Sequence, residues 1–308
     1  MKLYMRKQGD KAPLGQPDPY ILKGNDGRYY VYATDGQIYS SDHLLKDWKY
    51  EGIGLHMPGQ KICWAPCVLE IDGKYYMYYS SIDEGNEDEH GQQIRVAVAD
   101  TPAGPFEYAK TILPPFSIDA HVVKTLSGMY IFYCNNDYEA ERAGTRIMCD
   151  KMKNPFTVEG NPVCVLPPTI DEEIYMRNRF KKGQHWHTVE GAFYFFYEGT
   201  HFLMYSGACY QNPTYFIGYA IADGAEDEDL RNLKWTKYPD NDSYQPLLCK
   251  NKLMEGTGHN SLIFEGGKCY IVYHARDYGD IDLEEDTRSA RIDELIIKGK
   301  ELSVSMIV

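Results

Sequence analysis

Three carboxylic acids lie at one spacing from a repeated glycine. Asp18, Asp119 and Glu190 each stand nine residues before the glycine that opens a run of aromatic residues. Carboxyl groups gathered in one pocket lose hydration and repel each other, so at least one keeps its proton near neutral pH. A protonated acid beside an ionised one can carry out general acid–base catalysis. The spacing predicts that the three residues occupy equivalent positions and converge on one site.

The elements that would position these acids are five similar hairpins. Each contains an aromatic run opening on glycine, at residues 27–32, 73–79, 128–133, 199–205 and 267–273. A second apolar segment precedes each run, and Asp26-Gly27 and Asp72-Gly73 are typical of the hairpin turns between two such strands. The distance between successive glycines is enough for four short strands and their turns. This pattern predicts an all-β fold, a five-bladed β-propeller, with residues 1–308 as a single domain.

The predicted topology brings distant residues together. If the first strand of each hairpin is innermost, its first residues surround one mouth of the central channel. Counting back from the remaining two glycines gives Ala65, beside Trp64, and His259. We therefore expect Trp64 and His259 to share the mouth with the three acids, as a catalytic site requires.

The surroundings of the acids predict a division of roles. Glu190 is followed by the apolar run 193–197, which would raise its pKa and suit a general acid. Asp18 lies between two prolines that fix its backbone, and we assign it the role of the base that activates water. Asp119 would orient the substrate and keep Glu190 protonated. The alternative is that Asp18 only forms a turn and the other two acids only line the rim, but turn chemistry does not explain their shared spacing.

Composition narrows the class of ligand and the location. The net charge is -13 and the pI about 5.2, which argues against nucleic acid or an anionic membrane as partner, because both require clustered Lys and Arg. A neutral, hydroxyl-rich ligand is easier to accommodate. No apolar run has the length of a secretory signal or a membrane span, which predicts a cytoplasmic protein. Nothing in the sequence predicts an oligomeric state.

The eight cysteines are too sparse for a disulfide scaffold, so reduced thiols are expected. Two close pairs, Cys63 with Cys67 and His185 with His187, have the spacing of metal ligands. Neither has the second pair that a structural zinc site needs. We therefore expect no zinc at either pair.

Several short motifs together resemble glycoside hydrolase family 43. They are PDPY at 17–20, WAP at 64–66, IDAH at 118–121, VEG at 189–191, GHNS at 258–261, YHAR at 273–276 and RSARID at 288–293. The resemblance covers nearly the whole chain. This family consists of five-bladed β-propeller enzymes that include β-xylosidases, α-L-arabinofuranosidases and arabinanases.

The resemblance implies an inverting mechanism. Its base would be Asp18, its pKa-modulating acid Asp119 and its general acid Glu190. It also implies that His259 helps to hold a calcium ion or a water cluster at the axis, and that Arg288 reaches the substrate. The implied substrate is an oligosaccharide from a plant polysaccharide, from which terminal L-arabinofuranose or D-xylose is released. The chain departs from the family pattern at Cys67 and Ala192, beside the pocket, and no C-terminal β-sandwich fits after Arg291.

Further residues are candidates for substrate binding. Aromatic rings stack on sugar faces, and Trp64, Trp186 and Phe180 are candidates for such contacts. The full predicted substrate-binding set is Trp64, His121, Trp186, Arg276 and Arg288. Residues 185–187 are expected in a loop beside the leaving group.

Two other functions fit the same fold. A propeller glycoside phosphorylase would need a phosphate-binding cluster at the mouth, for which Arg276, Arg288 and Arg177 or Arg179 are candidates. A sugar-binding propeller without catalysis would need no set of three acids, so their presence argues against it.

Overall fold

A computed structural model describes residues 1–6, 9–280 and 285–307 of the chain. Within these ranges the chain forms 23 strands and three short 3₁₀ turns, at Thr34–Gly36, Glu89–Gly91 and Asp171–Glu173. None of these helical segments is long and apolar enough to cross a membrane. All eight cysteines are free thiols, as expected.

Five antiparallel units of four strands form the blades of a propeller. Blade 1 consists of β1 (Tyr20–Lys23), β2 (Tyr29–Ala33), β3 (Gln37–Ser41) and β4 (Lys49–Ile53). Blade 2 consists of β6 (Gln60–Ile71), β7 (Lys74–Asp83), β8 (Gln93–Ala99) and β9 (Phe106–Thr111). Blade 3 consists of β10 (Ile118–Thr125), β11 (Gly128–Asp137), β12 (Gly144–Asn154) and β14 (Val163–Leu166).

The remaining two blades follow the same order. Blade 4 consists of β16 (Trp186–Tyr197), β17 (Thr200–Gly207), β18 (Phe216–Asp223) and β19 (Thr236–Lys237). A short parallel pairing of β12 with β16 joins blades 3 and 4 into one ten-stranded sheet. Blade 5 consists of β20 (Met254–Glu265), β21 (Lys268–Asp277), β22 (Ser289–Lys298) and β23 (Glu301–Ser305). Three further short strands lie at the blade edges, β5 (Leu55–His56), β13 (Thr157–Val158) and β15 (Ile174–Met176). The predicted five-bladed β-propeller is confirmed.

The first strand of each blade is innermost, and the five inner strands contact one another in a closed ring. Ser261 joins the last blade to the first: its hydroxyl accepts from the amide of Ile21 at 3.0 Å and donates to the carbonyl of Pro19 at 2.9 Å. Residues at the N-terminus also pair with blade 5, where the amide of Leu3 donates to the carbonyl of Ala290 at 2.9 Å. These bonds fix the entry of β1, and with it Asp18, against blade 5.

Five apolar clusters hold the ring together, one between each pair of neighbouring blades. On β2, Tyr30 and Tyr32 pack against blade 2, whereas Tyr29 and Val31 pack against blade 5. Successive side chains of a strand point to opposite faces, so a strand buried on both faces is apolar at every position. The nearly continuous aromatic runs of the sequence follow from this two-sided packing.

Each blade has a residue with a positive φ at an equivalent place near the mouth end of its inner strand. These bulge positions are Asp18 (56°), Ala65 (47°), Asp119 (57°), Gly191 (61°) and His259 (45°). Backbone of this kind is uncommon for residues other than glycine and is concentrated at functional sites. In four of the five blades the strand pairing skips residues at this point, which is the signature of a β-bulge. In blade 1, Asp18 has the same positive φ just before β1 begins.

The pairing corrects the predicted equivalence of the three acids. Glu190 pairs with Ser206, as Ile118 pairs with Cys134, so Gly191 rather than Glu190 occupies the position of Asp119. The equal spacing predicted the wrong register because the glycines used as reference points occupy different positions in their hairpins. Gly199 lies within its hairpin turn, whereas Gly128 is the first strand residue after its turn. Asp18 and Asp119 are therefore equivalent, and Glu190 shares the position that Trp64 holds in blade 2.

Candidate active site

A pocket of about 420 Å³ opens at the mouth of the propeller. Seven of the nine predicted site residues line it: Asp18, Trp64, Asp119, Glu190, His259, Arg276 and Arg288. Its volume lies in the range of pockets that enclose small ligands. The three acids do converge, although their positions within the blades are not all equivalent.

Asp18 accepts two hydrogen bonds on its carboxylate. The hydroxyl of Thr34 donates to Oδ2 at 2.7 Å, and Nη1 of Arg288 donates to Oδ1 at 3.3 Å. The Nδ1 atom of His259 lies 3.5 Å from Oδ1. Burial by itself would raise the pKa of Asp18, but Arg288, His274 and His259 together outweigh it, with Arg288 as the largest contributor, and hold that pKa well below its usual range. Asp18 is therefore ionised.

The backbone of Asp18 is held by His274. The amide of Asp18 donates to Nδ1 of His274 at 3.0 Å, so this ring nitrogen carries no proton. Burial, aided by the charge of Arg288, lowers the pKa of His274 to about 4, which agrees with a neutral ring. His274 thus stabilises the positive φ of Asp18 without adding charge to the site.

Arg288 is fixed before any ligand arrives. Its Nε and Nη2 atoms donate to the carboxylate of Asp286 at 3.0 and 2.6 Å, and the guanidinium lies 4.7 Å from the ring centre of Tyr210. Such a bidentate pair restricts the side chain geometrically. The nearby Arg276 is held differently, since its Nη2 donates to the carbonyls of residues 210 and 212 at 3.0 and 3.3 Å.

The pKa of Asp119 is affected by groups that act in opposite directions. It is buried, and the amide of Gly191 donates to its Oδ2 at 3.1 Å. Burial raises the pKa of Asp119, and the negative charge of Asp18 adds to this effect while His259 opposes it. The hydrogen bond to Gly191 connects Asp119 directly to the backbone of the residue after Glu190.

The pKa of Glu190 is shifted in the direction opposite to that of Asp18. Burial and then the negative charge of Asp119 raise the pKa of Glu190 well above its usual value. The hydroxyl of Tyr215 donates to Oε1 at 2.8 Å and partly offsets this rise. Gly258 makes room for this tyrosine, because a Cβ atom there would lie 1.8 Å from the Tyr215 ring. Glu190 therefore keeps its proton to a higher pH than an ordinary glutamic acid.

The pocket thus holds two carboxyl groups, Asp18 and Glu190, whose pKa values are shifted in opposite directions. Two carboxyl groups can serve as a base and an acid when their surroundings shift their pKa values in opposite directions. The arrangement can remove a proton from one group and deliver another to a second group on a ligand bound between them.

The assignment of His121 to substrate binding is wrong. His121 is only 3% exposed, does not line the pocket, and packs with its ring centre 4.4 Å from that of Phe193. It lies two residues deeper along β10 than Asp119. Burial lowers its pKa to about 3, so the ring is neutral.

Trp186, a predicted substrate-binding residue, lies outside the pocket. It is only 3% exposed and does not line the pocket. The guanidinium of Arg179 covers it at 4.6 Å from the ring centre, and Tyr138 packs on it at 5.0 Å. Phe180 lies outside the pocket as well, but its side chain is exposed.

Four residues that support the acids were not predicted: Thr34, Tyr215, His274 and Asp286. His274 stands in the YHAR motif beside a predicted residue, so its position was available from the sequence. Tyr215 and Asp286 lie in loops without a recognisable pattern, and Thr34 follows an ordinary strand. Only the folded chain brings them to the carboxylates.

The calcium ion or water cluster expected at His259 stays a prediction. Nδ1 of His259 lies 3.5 Å from the Asp18 carboxylate, which also binds Arg288. Among the residues that the structure describes, no group of three or more His, Cys, Asp or Glu side chains is arranged to hold a metal.

Together the fold and the pocket define a five-bladed β-propeller with an acid–base site at one mouth. Comparison with known proteins gives the family: residues 12–300 match the model of "Glycosyl hydrolases family 43", and the chain belongs to this family. In structure it is similar to a thermostable family-43 glycoside hydrolase, with a TM-score of 0.78 and 30% identity over 95% of this chain and 93% of that one.

Two characterised relatives come from Streptomyces, and both are named extracellular exo-α-(1→5)-L-arabinofuranosidase. The protein from Streptomyces avermitilis is 28% identical over 90% of this chain and 59% of its own length. The protein from Streptomyces chartreusis is 27% identical over 86% of this chain and 81% of its own length. The chain thus spans about three fifths of the first of these relatives.

Proposed function

We propose that the chain is an inverting glycoside hydrolase that releases terminal pentose, with L-arabinofuranose as the favoured sugar, from plant oligosaccharides. The observation that carries this proposal is that Asp18 and Glu190 line one pocket and that their surroundings shift their pKa values in opposite directions. Inverting glycosidases need this pair, one acid for the leaving oxygen and one base for water.

In the proposed mechanism Asp18 removes a proton from a water molecule as its oxygen attacks the anomeric carbon. Glu190 simultaneously gives its proton to the departing glycosidic oxygen. Asp119 keeps the pKa of Glu190 high until that transfer, and Arg288 keeps Asp18 ionised. After one turnover both protons have moved, and exchange with solvent restores the starting states.

The choice of arabinofuranose rests on the names of the two Streptomyces relatives, and D-xylose is the alternative that the family includes. The same names give no support to the predicted cytoplasmic location, since both relatives are called extracellular. The substrate is an oligosaccharide, in keeping with the polar pocket and the acidic net charge.

The phosphorylase alternative is disfavoured by how the pocket arginines are used. Arg288 is bound to two carboxylates, and Arg276 to two carbonyls. Arg177 and Arg179 do not line the pocket. A phosphate ion would have to compete with Asp18 and Asp286 for the guanidinium of Arg288.

A panel of nitrophenyl glycosides tests the proposal. We expect hydrolysis of α-L-arabinofuranoside in preference to β-D-xyloside and β-D-galactofuranoside. Proton NMR of the first product should show the anomer opposite to that of the substrate. Retention of configuration, or phosphate-dependent release of a sugar phosphate, would contradict the proposal.

A further inference from the structure

A cluster of aromatic residues and one arginine lies outside the pocket, around the buried Trp186. We call it the outer shelf; it consists of Tyr138, Tyr175, Arg179 and Phe180. Phe180 is 57% exposed and Tyr138 51% exposed, and both pack on Trp186, with ring centres at 5.9 and 5.0 Å. Their rings lie 6.3 Å apart and leave apolar faces open to solvent.

Arg179 forms the centre of the outer shelf. Its guanidinium lies 5.8, 5.4 and 4.6 Å from the ring centres of Tyr175, Phe180 and Trp186. Stacking in this way uses the faces of the guanidinium and leaves N–H donors at its edge. The shelf thus combines apolar ring faces with hydrogen-bond donors, which are the two features that bind a sugar ring.

The loop that carries the shelf is held in place by its own hydrogen bonds. The amide of Arg179 donates to the carbonyl of Gln184 at 3.0 Å, and the amide of Gly183 donates to the side chain of Asn178 at 2.7 Å. The amide of Asn178 donates to Nδ1 of His185 at 3.1 Å. A surface ordered before binding loses less entropy when a ligand docks.

Arg179 places the outer shelf close to the pocket. Nη2 of Arg179 lies 3.2 Å from Nε2 of His90, and the neighbouring residue Glu89 lines the pocket. Trp186 stands four residues before Glu190 on β16, which corresponds to a rise of about 13 Å along an extended strand. The shelf therefore begins beyond the sugar that a leaving group would place beside Glu190.

We propose that the outer shelf binds the leaving-group part of a linear pentose oligosaccharide, at a ring beyond the one that adjoins the cleaved bond. Phe180 and Tyr138 stack on that ring, and Arg179 donates to its hydroxyls. The inference rests on the proposed function, because the general acid defines which side the leaving group occupies. It predicts that longer oligosaccharides are better substrates than disaccharides.

The kinetic test uses Phe180→Ala and Tyr138→Ala, with Phe264→Ala as control. Phe264 is 51% exposed and lies near the last residue of β20, at the end of blade 5 that is farther from the mouth. Loss of one stacked ring should lower kcat/KM for a linear arabinotetraose roughly three- to tenfold. Hydrolysis of a nitrophenyl arabinofuranoside, which does not extend to the shelf, should be unchanged. An unchanged ratio between the two substrates in both shelf variants would overturn the inference.

A binding test separates this inference from the proposed function. In a Trp64→Phe, Glu190→Gln background, the pocket tryptophan is removed and hydrolysis stops. Arabinotetraose should then change the fluorescence of Trp186 beneath the shelf, whereas arabinose should not, and Phe180→Ala should abolish the change. These results would support the shelf even if wild-type protein cleaved no pentoside. Absence of any tetraose-specific change at saturating ligand would overturn it.

Discussion

Tyr215 donates a 2.8 Å hydrogen bond to Oε1 of Glu190 and opposes the influence of Asp119 on the same carboxyl group. The hydrogen bond favours the ionised form of Glu190, whereas the charge of Asp119 and burial favour the protonated form. Tyr215 and Asp119 thus shift the pKa of the proposed general acid in opposite directions.

The first prediction follows from these opposite effects. Tyr215→Phe removes the contact that lowers the pKa of Glu190, so the alkaline limb of the kcat profile should move to higher pH. Asp119→Asn removes a charge that raises this pKa, so the same limb should move to lower pH. Full pH–rate profiles on a nitrophenyl arabinofuranoside measure both. Movement of the two limbs in the same direction would rule out this account of Glu190.

Gly258 provides a second prediction about the same contact. A methyl group at Gly258→Ala would overlap the Tyr215 ring, at 1.8 Å, and displace it from Glu190. The variant should reproduce the alkaline shift of Tyr215→Phe and lose about 1–3 kcal/mol of stability from overpacking. Adding Tyr215→Phe to Gly258→Ala should move the limb no further. A second, additive shift would show that the glycine acts elsewhere.

The third prediction concerns the base. Because the charge of Arg288 keeps the pKa of Asp18 low, Arg288→Met should raise that pKa and move the acid limb of kcat/KM to higher pH. Asp286→Asn, which only loosens the guanidinium, should move it less. Arg291→Met is a matched control, since Arg291 is similarly buried but pairs with Asp277 instead. An acid limb that stays in place in Arg288→Met would contradict the role of Arg288.

The sequence was sufficient to predict the fold because each blade repeats one local pattern. The aromatic runs at 27–32 and 267–273 are buried on both faces, and glycine-containing turns follow the preceding strands, so local signals agree with the final architecture. The convergence of Asp18 with Glu190 followed from topology alone. The register of Glu190 was not predicted correctly, because Gly199 lies within its hairpin turn whereas Gly128 follows its turn, and the sequence does not distinguish these two positions.

The features of the site that the sequence did not predict depend on the paths of loops and on burial. Tyr215 and Asp286 reach the carboxylates from connections whose paths are set by packing, not by periodicity. His121 and Trp186 have side chains suited to a sugar site. His121, however, lies below the pocket, and Trp186 lies beneath Arg179. Residue type predicts chemistry, whereas exposure is decided by neighbours that are distant in sequence.

The fourth prediction tests the central claim, the division of roles between Asp18 and Glu190. It compares kcat/KM on a dinitrophenyl arabinofuranoside, whose leaving group needs little protonation, with kcat/KM on arabinobiose. Glu190→Gln should lose on the order of a hundredfold or more on arabinobiose but much less on the dinitrophenyl substrate. Asp18→Asn should lose a similar large factor on both, because water must be activated in each case. Equal losses on the two substrates in Glu190→Gln would contradict its role as general acid.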